Sequence, residues 1–151
     1  MFEKYNCCKL YKYFFPYYKM DIVEDAPNFS LDGYKTNGRI ASVYDGDTVR
    51  IIFSFHGTFY KWNCRLAGID TPELRTSNDK EKEYGYQVRD ILREKILNKV
   101  VSVECGKFDK YGRLLVTITC DEDCCVNKWL VENKYALEYD GGKKQDWADI
   151  L

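Results

Sequence analysis

The sequence predicts a mainly β protein with helices, an α+β fold built as a small five-stranded antiparallel barrel with two to three helices. Three observations carry this expectation. Short runs of β-branched and aromatic residues recur from Arg39 onward with turn residues between them. Two later segments show helical rather than alternating apolar spacing. The length of 151 residues with 45% hydrophobic content suits one core. A closed, OB-like antiparallel barrel is favoured over a parallel sheet, which would need a crossover between every strand pair.

Ile40, Ala41 and Val43 form the first strand and lead to a turn at Tyr44-Asp45-Gly46-Asp47. Thr48, Val49, Ile51, Phe53 and Phe55 make the second strand, and His56-Gly57 marks the next turn. Phe59, Tyr60, Trp62, Cys64 and Leu66 return as the third strand, which completes a hairpin meander. A polar loop covers residues 74–83. Beyond it Tyr84, Val88, Ile91, Leu92 and Ile96 fall on one helical face. Residues 100–104 and 114–119 read as two more strands, separated by residues 106–113. A second short helix fits residues 126–133, with Asn133 at its C-terminal boundary. A final turn is expected around residues 146–150. Residues 1–36 differ in texture, with aromatics crowded into the first eighteen positions and a polar stretch after them. They read as an extension and linker, and residues 37–151 as the domain. The aromatics Tyr11, Tyr13, Phe14, Phe15, Tyr17 and Tyr18 are expected to pack on that domain.

The chain is 31% charged, yet 16% aromatic content and near-cancellation of charge exclude the composition of a disordered chain. Lys and Arg number 23 against 24 Asp and Glu, a formal net charge of −1, so no broadly basic surface exists to attract nucleic acid. Any anionic ligand must be held by local charge. The seven cysteines are odd in number and irregularly spaced, which points to a reducing compartment. Glu3, Lys9, Lys12 and Pro16 interrupt every early apolar run, so an intracellular, cytoplasmic setting is favoured over export. The longest uncharged stretch, residues 51–60, is about half of a membrane span. A soluble monomer is expected.

Charged residues at strand ends are costly unless paired, solvated or bound to something. Asp45 and Asp47 flank Gly46 before the second strand, and Asp70 and Glu73 end the third. Each fragment alone reads as a turn or a strand stop. Together Asp47, Asp70 and Glu73 offer hard oxygen ligands suited to Ca²⁺ or Mg²⁺, with no histidine or cysteine cluster beside them. Zinc at Cys120, Cys124 and Cys125 is the softer alternative, but adjacent cysteines do not make the usual spaced pair. Arg65 and Arg113 supply the other half of a phosphate site, since two guanidiniums near a divalent cation can clamp phosphoryl oxygens.

The motifs Asp45-Gly46-Asp47-Thr48, residues 65–73 (Arg-Leu-Ala-Gly-Ile-Asp-Thr-Pro-Glu) and Asp109-Lys110-Tyr111-Gly112-Arg113 resemble those of the staphylococcal nuclease (thermonuclease) family, in that family's order. The resemblance extends through Tyr84-Gly85, Val126-Asn127 and Leu130-Val131, and so covers residues 37–140. It implies that Asp47 and Asp70 are Ca²⁺ ligands through their carboxylates and Thr71 through its backbone carbonyl. Asp45 would act in the outer metal shell through water. It implies that Glu73 is the general base or water-positioning group, that Arg65 and Arg113 hold the scissile phosphate, and that Lys110 and Tyr111 bind substrate beside the nucleotide's terminal phosphate. The implied activity is calcium-dependent endonuclease hydrolysis of phosphodiester bonds in DNA or RNA that leaves 3′-phosphate ends. The competing reading is a catalytically inactive OB-type module that binds nucleic acid or protein.

Overall fold

The protein, seen here as a computed structural model, is described for residues 26–142 and 144–151. The expectation for the aromatic run at 11–18 lies outside the described residues, as do Cys7 and Cys8.

Strands β1 (Lys35–Val43), β2 (Thr48–Phe55) and β3 (Thr58–Leu66) form the antiparallel meander. His56 and Gly57 take φ of 49° and 79°, the left-handed pair that a two-residue hairpin turn requires. β1 begins two residues before residue 37, and Leu31 ahead of it is already buried in the core. After the short β4 (Ile69–Asp70) comes helix α1 (Asp79–Ile96), then β5 (Val100–Phe108) and β6 (Leu114–Cys120). β5 pairs with the free edge of β1, and β6 pairs with β5.

The barrel then closes through a parallel pairing of β6 with β3, Cys64 opposite Leu114 and Leu66 opposite Val116. The expected all-antiparallel barrel is corrected to a mixed one, and the reason is parity. Direction cannot alternate all the way round a ring of five strands, so one neighbouring pair must run the same way. The crossover that this pair needs is supplied by α1 and β5.

Helix α1 starts five residues earlier than its apolar face suggested. The Asn78 side chain accepts from the backbone N–H of Lys80 (3.0 Å) and Glu81 (3.3 Å), and Asp79 and Glu81 sit in the first turn. That turn carries no apolar residue at helical spacing, so capping rather than periodicity announces it. Val88, Leu92 and Ile96 are buried on the same stripe as Glu81 and Gly85. The short β7 (Cys124–Cys125) and helix α2 (Val126–Glu132) follow β6, and β8 (Leu137–Glu138) pairs with β4. Asn133 stands at the end of α2, where the sequence places it.

β6 alternates cleanly, with Leu114, Val116, Ile118 and Cys120 buried. They meet Ile40, Ile51, Phe53 and Leu66 from the other strands inside the barrel, each side chain contributing about 1.5–3 kcal/mol by its burial. Asn127 is the polar fastener. Its Nδ2 donates to the carbonyls of Ala67 (2.9 Å) and Val116 (3.1 Å), and its Oδ1 accepts from Ile118 N–H (3.1 Å). It thereby ties α2 to the parallel seam.

Candidate active site

Three connections meet at one cleft of about 760 Å³: the β1–β2 turn, the segment after β3, and the β5–β6 turn. In the first, Asp45 Oδ1 accepts from the N–H groups of Asp47 (3.2 Å) and Thr48 (2.7 Å), the geometry of an Asx turn. Asp45 therefore folds the turn that presents Asp47. A Cβ on Gly46 would lie 2.8 Å from the Thr71 side chain and from Val88, so only glycine lets this turn rest against the strand end and α1. Gly85 does the same for the helix, since a Cβ there would meet the Pro72 carbonyl at 2.9 Å. These two close approaches bring the first and second motifs together.

Arg65 sits between the two buried carboxylates. Its Nη1 lies 2.5 Å from Asp47 Oδ2 and its Nη2 3.3 Å from Asp70 Oδ1, with a further hydrogen bond to the Ile69 carbonyl. Burial pushes the Asp47 carboxyl up to about 7, the Asp45 carboxylate adds to the rise, and Arg65 only partly offsets it. Thr71 is buried beside them, whereas the Glu73 side chain is half exposed. The Glu73 N–H donates to Glu81 Oε1 at 3.0 Å, which fixes the backbone that carries the glutamate to the first turn of α1.

In the β5–β6 turn Asp109 organises the loop. Its Oδ1 accepts from the N–H groups of Tyr111 and Arg113, both at 2.9 Å, and its Oδ2 accepts from Arg113 Nε at 2.7 Å. Burial works against the charge on Asp109, but these donors outweigh it and hold the carboxyl below its ordinary value. Arg113 Nη1 reaches across to Thr48 Oγ1 at 3.3 Å. Tyr111 is 72% exposed, with Lys110 Nζ 5.0 Å and Arg113 Cζ 5.6 Å from its ring centre. An exposed ring flanked by two cations suits a nucleotide, offering stacking and phosphate neutralisation together.

Of the residues singled out from sequence, Asp45, Asp47, Arg65, Thr71, Glu73, Lys110, Tyr111 and Arg113 all line this cleft. Asp70 lines the adjoining cavity of about 910 Å³ and joins the cluster through Arg65. Four participants were missed. Thr48 and Asp109 lie inside the motifs and act on Arg113. Asn127 lies in the segment that carries the resemblance and ties α2 to the barrel. Lys144, which contacts Asp70 and Glu73 at 2.7 Å each, has no local signal at all.

The donor set fits a hard divalent cation in chemistry: two buried carboxylates and a backbone carbonyl, all oxygen, at a place where the Asp47 charge is under-compensated. Among the described residues no group of three His, Cys, Asp or Glu side chains is gathered as metal ligands. Side chains would thus supply only part of a coordination sphere, with Thr71 and water completing it. For zinc, Cys120 and Cys124 face each other across the β6–β7 pairing, and among the described residues no third ligand joins them.

The fold is a small mixed barrel whose three connections gather carboxylates and guanidiniums at one cleft. Residues 63–149 match the family described as staphylococcal nuclease homologue, and the chain belongs to that family. It is 30% identical over 104 residues to an uncharacterised endonuclease of Escherichia coli O157:H7, covering 69% of this chain and 61% of that protein. It is 28% identical over 134 residues to a probable endonuclease of Uncinocarpus reesii, covering 75% of this chain and 41% of the other. A thermonuclease of Staphylococcus hyicus is 34% identical over 82 residues, 53% of this chain and 46% of that one. The chain therefore spans about three fifths or less of the length of these curated relatives. No helix among the described residues is long and apolar enough to cross a membrane.

Proposed function

We propose that this chain is a calcium-dependent nuclease that hydrolyses phosphodiester bonds of DNA or RNA and leaves 3′-phosphate ends. The observation that carries the reading is the continuous polar chain Arg113–Thr48–Asp47–Arg65–Asp70, which links both guanidiniums to both buried carboxylates in one cleft. Asp47, Asp70 and the Thr71 carbonyl would hold Ca²⁺, and Asp45 would reach it through water. Bound there, the ion supplies Lewis-acid stabilisation of phosphoryl charge.

The rest falls to the chain's own residues. Arg65 and Arg113 receive the scissile phosphate and stabilise charge on its equatorial oxygens. Glu73, half exposed at the cleft, orients the attacking water and takes its proton as the water oxygen bonds to phosphorus and the 5′ oxygen departs. Lys110 and Tyr111 hold the neighbouring nucleotide and fix the register of the strand.

The second reading is a catalytically inactive OB-type module that binds nucleic acid or protein. It draws on one observation, the ion pairs of Lys144 with Asp70 and Glu73. Cleavage of single-stranded DNA and of RNA in millimolar Ca²⁺, against EDTA and Mg²⁺, separates the two. Cleavage that requires Ca²⁺ and drops at least a hundredfold in Glu73→Ala and Arg113→Ala supports the enzyme. Binding without cleavage under every metal leaves the module.

A further inference from the structure

Lys144 has no part in the reaction proposed above, yet it makes the closest contacts to two of its carboxylates. The ammonium lies 2.7 Å from Asp70 Oδ1 and 2.7 Å from Glu73 Oε1. A lysine paired with the half-exposed Glu73 alone would be an ordinary surface contact of little consequence. The contact with Asp70 is of another kind, because that side chain is only 4% exposed and its charge needs a compensating partner.

Packing delivers the lysine to this position. Ahead of it, Tyr139 N–H donates to the Gly68 carbonyl at 3.0 Å, and the Tyr139 hydroxyl donates to the Gly142 carbonyl at 3.1 Å. Behind it, Trp147 is buried with its ring centre 6.1 Å from that of Tyr84 on α1. Lys144 lies between these two anchors, and its ammonium stands over the cleft.

We propose that Lys144 is a built-in counter-cation that occupies Asp70 and Glu73 and must be displaced for a divalent cation to bind there. The inference rests on the reading that Asp47 and Asp70 hold the metal. A dication on Asp70 would face an ammonium hydrogen-bonded to the same carboxylate oxygen, and repulsion drives Lys144 away. Metal affinity is then set partly by the hold of Trp147 on the C-terminal segment.

Calorimetric titration of the full chain with Ca²⁺ at pH 7 tests this. Lys144→Gln should bind Ca²⁺ at least tenfold more tightly than wild type. Lys144→Arg should stay within threefold of wild type, because it keeps the charge. Lys61→Gln, the same charge change at an exposed position on β3, should stay within twofold. Equal or weaker binding by Lys144→Gln, with binding abolished in Asp70→Asn, overturns the inference and leaves the metal reading intact. Absence of Ca²⁺ binding in both wild type and Lys144→Gln overturns the metal reading and the inference with it. A measurement on unaltered protein guards against a variant that fails to fold. Acetylation of the Lys144 amine by an amine-reactive ester, followed by mass spectrometry, should speed up severalfold when Ca²⁺ is added. An unchanged rate at saturating bound Ca²⁺ overturns the proposal.

Discussion

The hydroxyl of Thr48 joins Arg113 to Asp47, accepting from Nη1 at 3.3 Å and donating to Oδ1 at 2.9 Å. One small side chain thus sets the position of a guanidinium from the β5–β6 turn relative to a carboxylate from the β1–β2 turn. Thr48→Val keeps the shape and leaves Asp47 Oδ1 without this donor, a loss of about 1–3 kcal/mol. Tm should fall by roughly 5 to 10 °C and turnover by about tenfold, while Thr48→Ser keeps both near wild type. Calorimetry and a cleavage assay on the same preparations check the pair. Full activity in the valine variant would contradict the link.

Arg65 is ion-paired with two buried carboxylates at once. Arg65→Met should destabilise by about 3–5 kcal/mol in urea melts, since it removes the guanidinium paired with the buried carboxylates of Asp47 and Asp70. Lysine offers a point charge instead of a planar fork, so Arg65→Lys should fold yet cleave at least about a hundredfold more slowly. A methionine variant as stable as wild type would show that the carboxylates do not depend on this guanidinium.

Asn127 satisfies three backbone groups at the seam between β3, β6 and α2. Asn127→Ala should cost about 3 kcal/mol and lower Tm by roughly 10 °C. Hydrogen exchange should show the loss concentrated at the N–H of Ile118, which would have no side-chain acceptor left.

Asp109 is held below its ordinary pKa of 3.8 by the donors of Arg113 and Tyr111, which outweigh the opposing effect of burial. A carboxyl lowered in the folded state lends stability above its unfolded pKa, and that stability is lost as pH falls through the folded value. Asp109→Asn should therefore be less stable than wild type at pH 7, and the gap should close below about pH 3.8. Melting curves across pH 2.5 to 7 measure it. A constant gap would mean that Asp109 acts through packing and not through charge.

The strands were legible because alternation of β-branched and aromatic residues is a local property. The hairpin turn at His56-Gly57 and the C-terminal boundary of α2 at Asn133 were legible for the same reason. The first turn of α1 was missed because Asn78 announces it by a cap, while the expectation looked for apolar spacing. Asp45, Asp47, Arg65, Asp70, Glu73 and Arg113 stand out as charged groups in β texture, Thr71, Lys110 and Tyr111 are reached only through the family resemblance, and the structure gathers eight of the nine around one cleft. Their partners did not stand out. Thr48 and Asp109 look like ordinary turn residues until the distances to Arg113 are known.

By itself the sequence determined the number and order of the barrel strands, the helical segments, and the family that the Asp45–Thr48, Arg65–Glu73 and Asp109–Arg113 motifs define. Tertiary structure alone decided the parallel seam between β3 and β6, the bridge that Arg65 makes between Asp47 and Asp70, and the arrival of Lys144 at the cleft. Periodicity and turn chemistry are fixed by neighbours a few residues apart. Closure of a ring, and the meeting of charges from residues 47, 70 and 144, depend on how the whole chain packs.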